Sequence, residues 1–217
     1  MTVLEVPTPL GPARVHRQEP AVAVRGTLVL GHGAGGGVDS ADLTAVAAAA
    51  CGAGWRVLRV DQPWKVAGKR IAPAPPRLDE GWTAVLQVLR EHRELTGPLV
   101  LGGRSAGARV ACRTAAAQGA AGVLALAFPL HPPGRPEKSR AAELLGVDVP
   151  LLVVQGETDA FGRPAEVEAA LAGHAGVVHA VPGDHALQRN VEAVAAAAVN
   201  WLDERVSASG GGARSAR

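Results

Sequence analysis

The apolar residues of this chain gather in short unbroken runs. TLVL (27–30), PLVLG (98–102), GVLALAF (122–128) and PLLVVQ (150–155) are the clearest. A strand with one face in water alternates apolar and polar side chains, whereas a strand apolar at every position is buried on both faces. Stretches of helical length separate these runs: 41–50, 78–95, 106–117, 137–145, 164–171 and 191–206. Further strands are expected at 21–30, 55–61 and 177–181. Strand and helix in regular alternation predict an α/β domain with a mostly parallel sheet and helices on both faces. Two earlier extended pieces, 2–6 and 13–18, flank the turn PLGP (9–12) and predict an antiparallel hairpin at the sheet edge. The proline-rich stretch 62–77 reads as a long loop. No repeat or linker divides the chain, so residues 1–206 read as one domain without a cap domain, and 207–217 (SASGGGARSAR) as a flexible tail.

In such a sheet, binding and chemistry gather beyond the carboxyl ends of the strands. The polar residues of this chain fall there. The strand near 30 leads into His32-Gly33-Ala34, and the one near 60 ends at Asp61. The one near 102 enters Gly103-Arg104-Ser105-Ala106-Gly107. His131, Asp159 and the pair Asp184-His185 follow the next three.

Two of these loops suggest different chemistries. Gly31, Gly33 and Gly36 have the spacing G-x-G-x-x-G between a strand and a helix, and Asp61 lies where a dinucleotide-binding unit places its ribose-binding acid. In that unit, however, the helix starts inside the glycine pattern. Here Gly37-Val38-Asp39 delay it to an N-cap at Ser40. The second loop fits G-x-S-x-G, again between an apolar strand and a helix. A serine on that sharp turn stands clear of the sheet, and the helix N-terminus behind it favours developing negative charge. A serine hydroxyl needs a base to become a nucleophile, and the base needs a carboxylate to fix its tautomer. His185 and Asp159 are the candidates, with Glu157 and Asp184 as alternative acids.

GHGAG, GRSAG, QGETDAFG and PGDH together resemble the α/β-hydrolase superfamily, in particular its small lidless serine hydrolases of the dienelactone-hydrolase and compact esterase type. The resemblance covers residues 1–206. It implies an α/β-hydrolase fold and a serine hydrolase, carboxylesterase- or thioesterase-like, acting on a small-molecule substrate. It also implies a triad in the chain order Ser105, Asp159, His185, and an oxyanion hole from the backbone N–H groups of Ala34 and Ala106. The glycine loop then bends over the nucleophile instead of holding a cofactor, and no cofactor is expected. Hydrolase-like domains can also serve as binding scaffolds, which need not keep all three groups.

The remaining polar residues have plainer readings. Asp61 braces a loop, Arg104 is ion-paired or solvent-facing, His32 anchors its own loop, and Trp64 packs. His131 lies at the pocket rim or on the surface, and His16, His92, His174 and His179 are ordinary surface or helix residues. A net charge of +2, with scattered arginines, excludes a nucleic-acid surface. Cys51 and Cys112 show neither C-x-x-C nor zinc spacing and read as buried thiols, with no metal site. The N-terminus lacks the pattern of a signal peptide, and no apolar run approaches the ~20 residues of a membrane helix. A cytoplasmic protein is expected.

Overall fold

The computed structural model describes residues 1–206, with side chains to Glu204; the expected tail at 207–217 lies outside the described residues. Eight strands form one sheet: β1 (Thr2–Val6), β2 (Ala13–Gln18), β3 (Gly26–Gly31), β4 (Trp55–Asp61), β5 (Leu99–Arg104), β6 (Gly122–Leu126), β7 (Leu151–Gly156) and β8 (Val177–Val181). Their spatial order is β1-β2-β4-β3-β5-β6-β7-β8. The hairpin β1–β2 is antiparallel and pairs antiparallel with β4; every later pairing is parallel. The helices are α1 (Ala41–Gly52), α2 (Pro63–Val66), α3 (Pro75–Glu91), α4 (Ala106–Gln118), α5 (Ala141–Leu145), α6 (Pro164–Ala170) and α7 (Val191–Trp201).

The unbroken apolar runs explain the layering. Alternate residues of each strand face opposite sides, so each run feeds two cores. On one face Val29, Leu58, Leu101, Val123 and Val153 pack under α3, α4, α5 and α6 with Trp82, Leu86 and Val167. On the other, Leu28, Leu30, Val57, Leu124 and Val154 pack under α1 and α7. These two helices are alanine-rich, and Ala47, Ala50, Ala197 and Ala198 let them lie close to each other and to the sheet.

The structure differs from the sequence reading at several boundaries. The apolar stretch 21–25 is not strand, because β4 and β5 begin opposite Gly26 and Thr27 and leave it no partner. Val22 and Val24 are exposed there. Helix α3 starts three residues earlier than residue 78, since Pro75 and Pro76 occupy its first turn, where a missing N–H costs nothing. It ends at Glu91, with His92 as C-cap and Arg93 in left-handed backbone (φ 58°). The stretch read as a loop holds the short α2, opened by Pro63. The expected helix at 137–145 is a 3-10 turn (Pro136–Lys138) followed by α5, and α7 gives way at Leu202 to a π-type turn. Cys112 is buried and its thiol is pushed up to about 12, while Cys51 is only half-buried; both are free.

Candidate active site

The loops after β3, β5, β7 and β8 meet at one rim of the sheet. Between β5 and α4 the chain turns so sharply that Ser105 takes φ 53° and ψ −108°, a strained conformation for a residue with a side chain. Its N–H donates to the Leu126 carbonyl at 2.9 Å, which ties the turn to β6. Glycines make the turn possible. A Cβ on Gly103 or on Gly107 would overlap the Gly31 carbonyl, so α4 can lie against β3 only with glycine at these positions.

Ser105 Oγ lies 2.9 Å from His185 Nε2, and His185 Nδ1 lies 2.8 Å from Asp159 Oδ2. With Nδ1–H donating to the carboxylate, Nε2 keeps a lone pair for the serine O–H. Asp159 is fully buried, and a carboxylate there requires donors. It has three: His185 Nδ1, the Gln155 side-chain amide at 2.9 Å and the Phe161 N–H at 2.8 Å. Gln155, the penultimate residue of β7, places the same amide nitrogen 2.7 Å from the Gly162 carbonyl and 3.2 Å from that of Phe128, so its two N–H groups are shared among three acceptors. It thereby fixes the Asp159 loop from below. Phe161 lies over the His185 ring, with centroids 4.2 Å apart. The loops after β7 and β8 are joined by the Thr158 N–H and hydroxyl, both donating to the Gly183 carbonyl at 2.9 Å.

The alternative acids are elsewhere. Glu157 is exposed, and Asp184 accepts the Ala186 N–H in its own turn at 3.0 Å. Arg104 is ion-paired: its Nε lies 3.4 Å from the buried Asp42 of α1, and its Nη2 donates to the His185 carbonyl at 3.1 Å. One guanidinium thus links the elbow, α1 and the histidine loop. Asp42 and Gln155 carried no sequence signal of this role. Asp42 reads as an ordinary acid in a first helical turn, and Gln155 as the end of an apolar strand.

The glycine loop after β3 folds back over the elbow. A Cβ on Gly33 would sit 3.5 Å from the Ser105 Cβ. The loop therefore covers the serine instead of leading into α1 as a dinucleotide loop would. Among the described residues, neither the Ala34 nor the Ala106 N–H donates a hydrogen bond. His32 anchors the loop, as expected: its Nδ1 meets the Gly33 carbonyl at 2.8 Å and its Nε2 accepts the Gln62 N–H at 3.4 Å. Burial pushes the pKa of this imidazole below its ordinary value and so favours the neutral form, which is able to make both bonds.

Of the other polar residues, Asp61 pairs with His16 across β2 and β4 at 3.0 Å, so His16 is not a plain surface residue. His131 bonds Glu166 at the start of α6 at 3.1 Å. The Pro132 carbonyl and Glu166 raise the imidazole's pKa, and the Arg163 N–H and His131 lower that of Glu166. Trp64 packs in the core against His32, ring centroids 5.4 Å apart. Among the described residues, no group of three or more His, Cys, Asp or Glu side chains is placed to hold a metal ion. No helix among the described residues is long and apolar enough to cross a membrane.

A sheet of this order, with a strained serine turn after its fifth strand, defines the α/β-hydrolase class of proteins. Over residues 24–208 the chain matches the family described as alpha/beta hydrolase domain, and it belongs to that family. No curated protein matches it. Its fold is similar to that of an alpha-beta serine hydrolase homologue from Coxiella burnetii, at 21% identity and TM-score 0.78 over 93% of this chain and 97% of that one. It is likewise similar to a serine hydrolase without lid from Xanthomonas campestris, at 24% identity and TM-score 0.77 over 93% of each chain. Dienelactone hydrolase from Anabaena variabilis is similar at 19% identity and TM-score 0.76, over 94% of this chain and 97% of that one.

Proposed function

We propose that this hydrolase is a serine enzyme that cleaves an ester-like or activated acyl bond of a small substrate through an acyl-enzyme on Ser105. One observation carries the reading: Ser105 Oγ, His185 Nε2, His185 Nδ1 and Asp159 Oδ2 stand in an unbroken hydrogen-bonded line. In the first step Ser105 Oγ attacks the acyl carbonyl and its proton passes to His185 Nε2. Asp159 stabilises the imidazolium that results. The carbonyl oxygen becomes an oxyanion facing the Ala34 and Ala106 N–H groups, which have no other partner among the described residues. Each such donor contributes about 10²–10³ in rate. The tetrahedral intermediate collapses as Nε2 returns its proton to the leaving alcohol or thiol. Water then attacks the acyl-enzyme and gives a proton to the same nitrogen, which passes it to Ser105 Oγ as the bond to the acyl carbon breaks, releasing the acid and restoring the free serine and neutral histidine.

The open rim, with no cap domain among the described residues, suits a small substrate, and ester or thioester leaving groups are both compatible with it. Ser105→Ala is expected to abolish labelling by a fluorophosphonate probe while the circular dichroism spectrum stays that of the wild type. Labelling that persists in the variant refutes Ser105 as nucleophile. A wild-type protein inert to the probe supports a binding scaffold instead.

A further inference from the structure

Beside the glycine loop lies a cavity of about 410 Å³ lined by Ala34, Gly35, Trp64, Lys65, Gly68, Lys69 and Arg70. One wall is the stretch proposed to hold the oxyanion, since Ala34 directly follows the glycine packed on Ser105. The opposite wall is α2 and the turn after it, which carries two of the chain's three lysines. Lys65 reaches toward the loop, its Cε 3.6 Å from where a Gly37 Cβ would stand, and its charge opposes protonation of His32.

Arg17, Arg56, Arg109 and Arg113 all meet carboxylates within 4 Å. Arg77, at the start of α3, is answered by Glu80 at 2.8 Å. Among the described residues, Lys65, Lys69 and Arg70 have no carboxylate partner. Asp61 stands close to Lys65, its Oδ1 3.9 Å from where a Gly37 Cβ would stand, but its other oxygen is taken by His16. Three cations around a concave site that Trp64 also lines make a region of positive potential that attracts an anion. Lysines act there as adjustable point charges, which suits carboxylate and phosphate alike.

Resting on the serine-hydrolase reading, we propose that this cavity is a substrate subsite and that the enzyme's substrates carry an anionic oxygen group, carboxylate or phosphate, beside the scissile acyl bond. The subsite raises kcat/KM for such esters by holding the charged end while the carbonyl lies over Ser105.

The test compares the p-nitrophenyl esters of monomethyl glutarate, glutarate and 4-phosphonobutanoate, which share a leaving group and differ in terminal charge. At least one charged ester is expected to exceed the neutral one by roughly tenfold in kcat/KM. Whichever charged ester leads identifies the anion. The advantage should collapse at high salt in the wild type and fall to about one in Lys65→Ala/Lys69→Ala/Arg70→Ala. Equal rates on all three esters, or an advantage that survives both salt and substitution, overturn the subsite while leaving the hydrolase reading intact. A wild-type protein that the fluorophosphonate probe does not label would instead sink the hydrolase reading. The cavity is then read by titrating glutarate and inorganic phosphate against tryptophan fluorescence, with Trp64→Phe as blank. Saturable quenching that disappears in the triple variant upholds anion binding, and no quenching overturns it.

Discussion

Gln155 shows how far the chemistry depends on a residue that never reaches the substrate side. Its amide lies within 3.2 Å of three acceptors, one of them the buried Asp159 carboxylate. A hydrogen bond to a charged group is worth about 1.5–3 kcal/mol, and burial prevents water from replacing it. Gln155→Leu is therefore expected to lower stability by about that amount in a urea titration. It should also lower kcat on a neutral ester more than it raises KM, because Asp159 would lose part of what orients it toward His185. A variant less stable but with unchanged kcat would show that the His185 and Phe161 N–H bonds suffice to hold the acid.

At the scale of elements, the decisive contact is α4 against β3. Replacing Gly107 by alanine would favour α4 as an isolated helix by about 0.8–1 kcal/mol. The added Cβ, however, would meet the Gly31 carbonyl, part of a central strand paired on both sides. Overpacking of this kind costs about 1–3 kcal/mol, so the overlap outweighs the propensity. Gly107→Ala should lower the melting temperature and slow fluorophosphonate labelling, since α4 can only move by carrying Ser105 with it. Faster labelling would mean that the elbow relaxes without help from the glycine.

The same scale shows what sequence reasoning could reach. Unbroken apolar runs announce central strands, because burial on both faces excludes polar residues from them. Ser105 and Asp159 are legible for a related reason: each follows such a run, where no packing demand explains a polar side chain, whereas His185 follows the half-exposed edge strand β8 and is legible from its place in the chain order Ser, Asp, His. Residues 21–25 are apolar enough for a strand but have no neighbour to pair with, a fact about β4 and β5 and not about the segment. The roles of Gln155, Asp42 and Phe161 depend on contacts between distant loops, and local pattern carries no trace of them.

Over the whole molecule, one sheet serves two cores. Val100 and Leu101 are neighbours in β5, yet they lie in different cores, as do Val153 and Val154 in β7. Burying a leucine or valine side chain contributes about 1.5–3 kcal/mol, and each strand collects that on both faces. Stripping the helices from one face would leave a sheet exposed along its full width, so neither layer has a stable state alone. Residues 1–206 are accordingly expected to unfold as one unit. The tryptophans can report on this, since Trp82 projects from α3 into the core on one face and Trp55 lies in the core under α1 and α7. Two variants, each with three tryptophans replaced by phenylalanine, would retain only Trp82 or only Trp55. In each, the urea midpoint by fluorescence should coincide with the midpoint by far-ultraviolet circular dichroism. If either tryptophan reports its transition well before helical signal is lost, that face opens independently, and the shared sheet is not what couples the two layers.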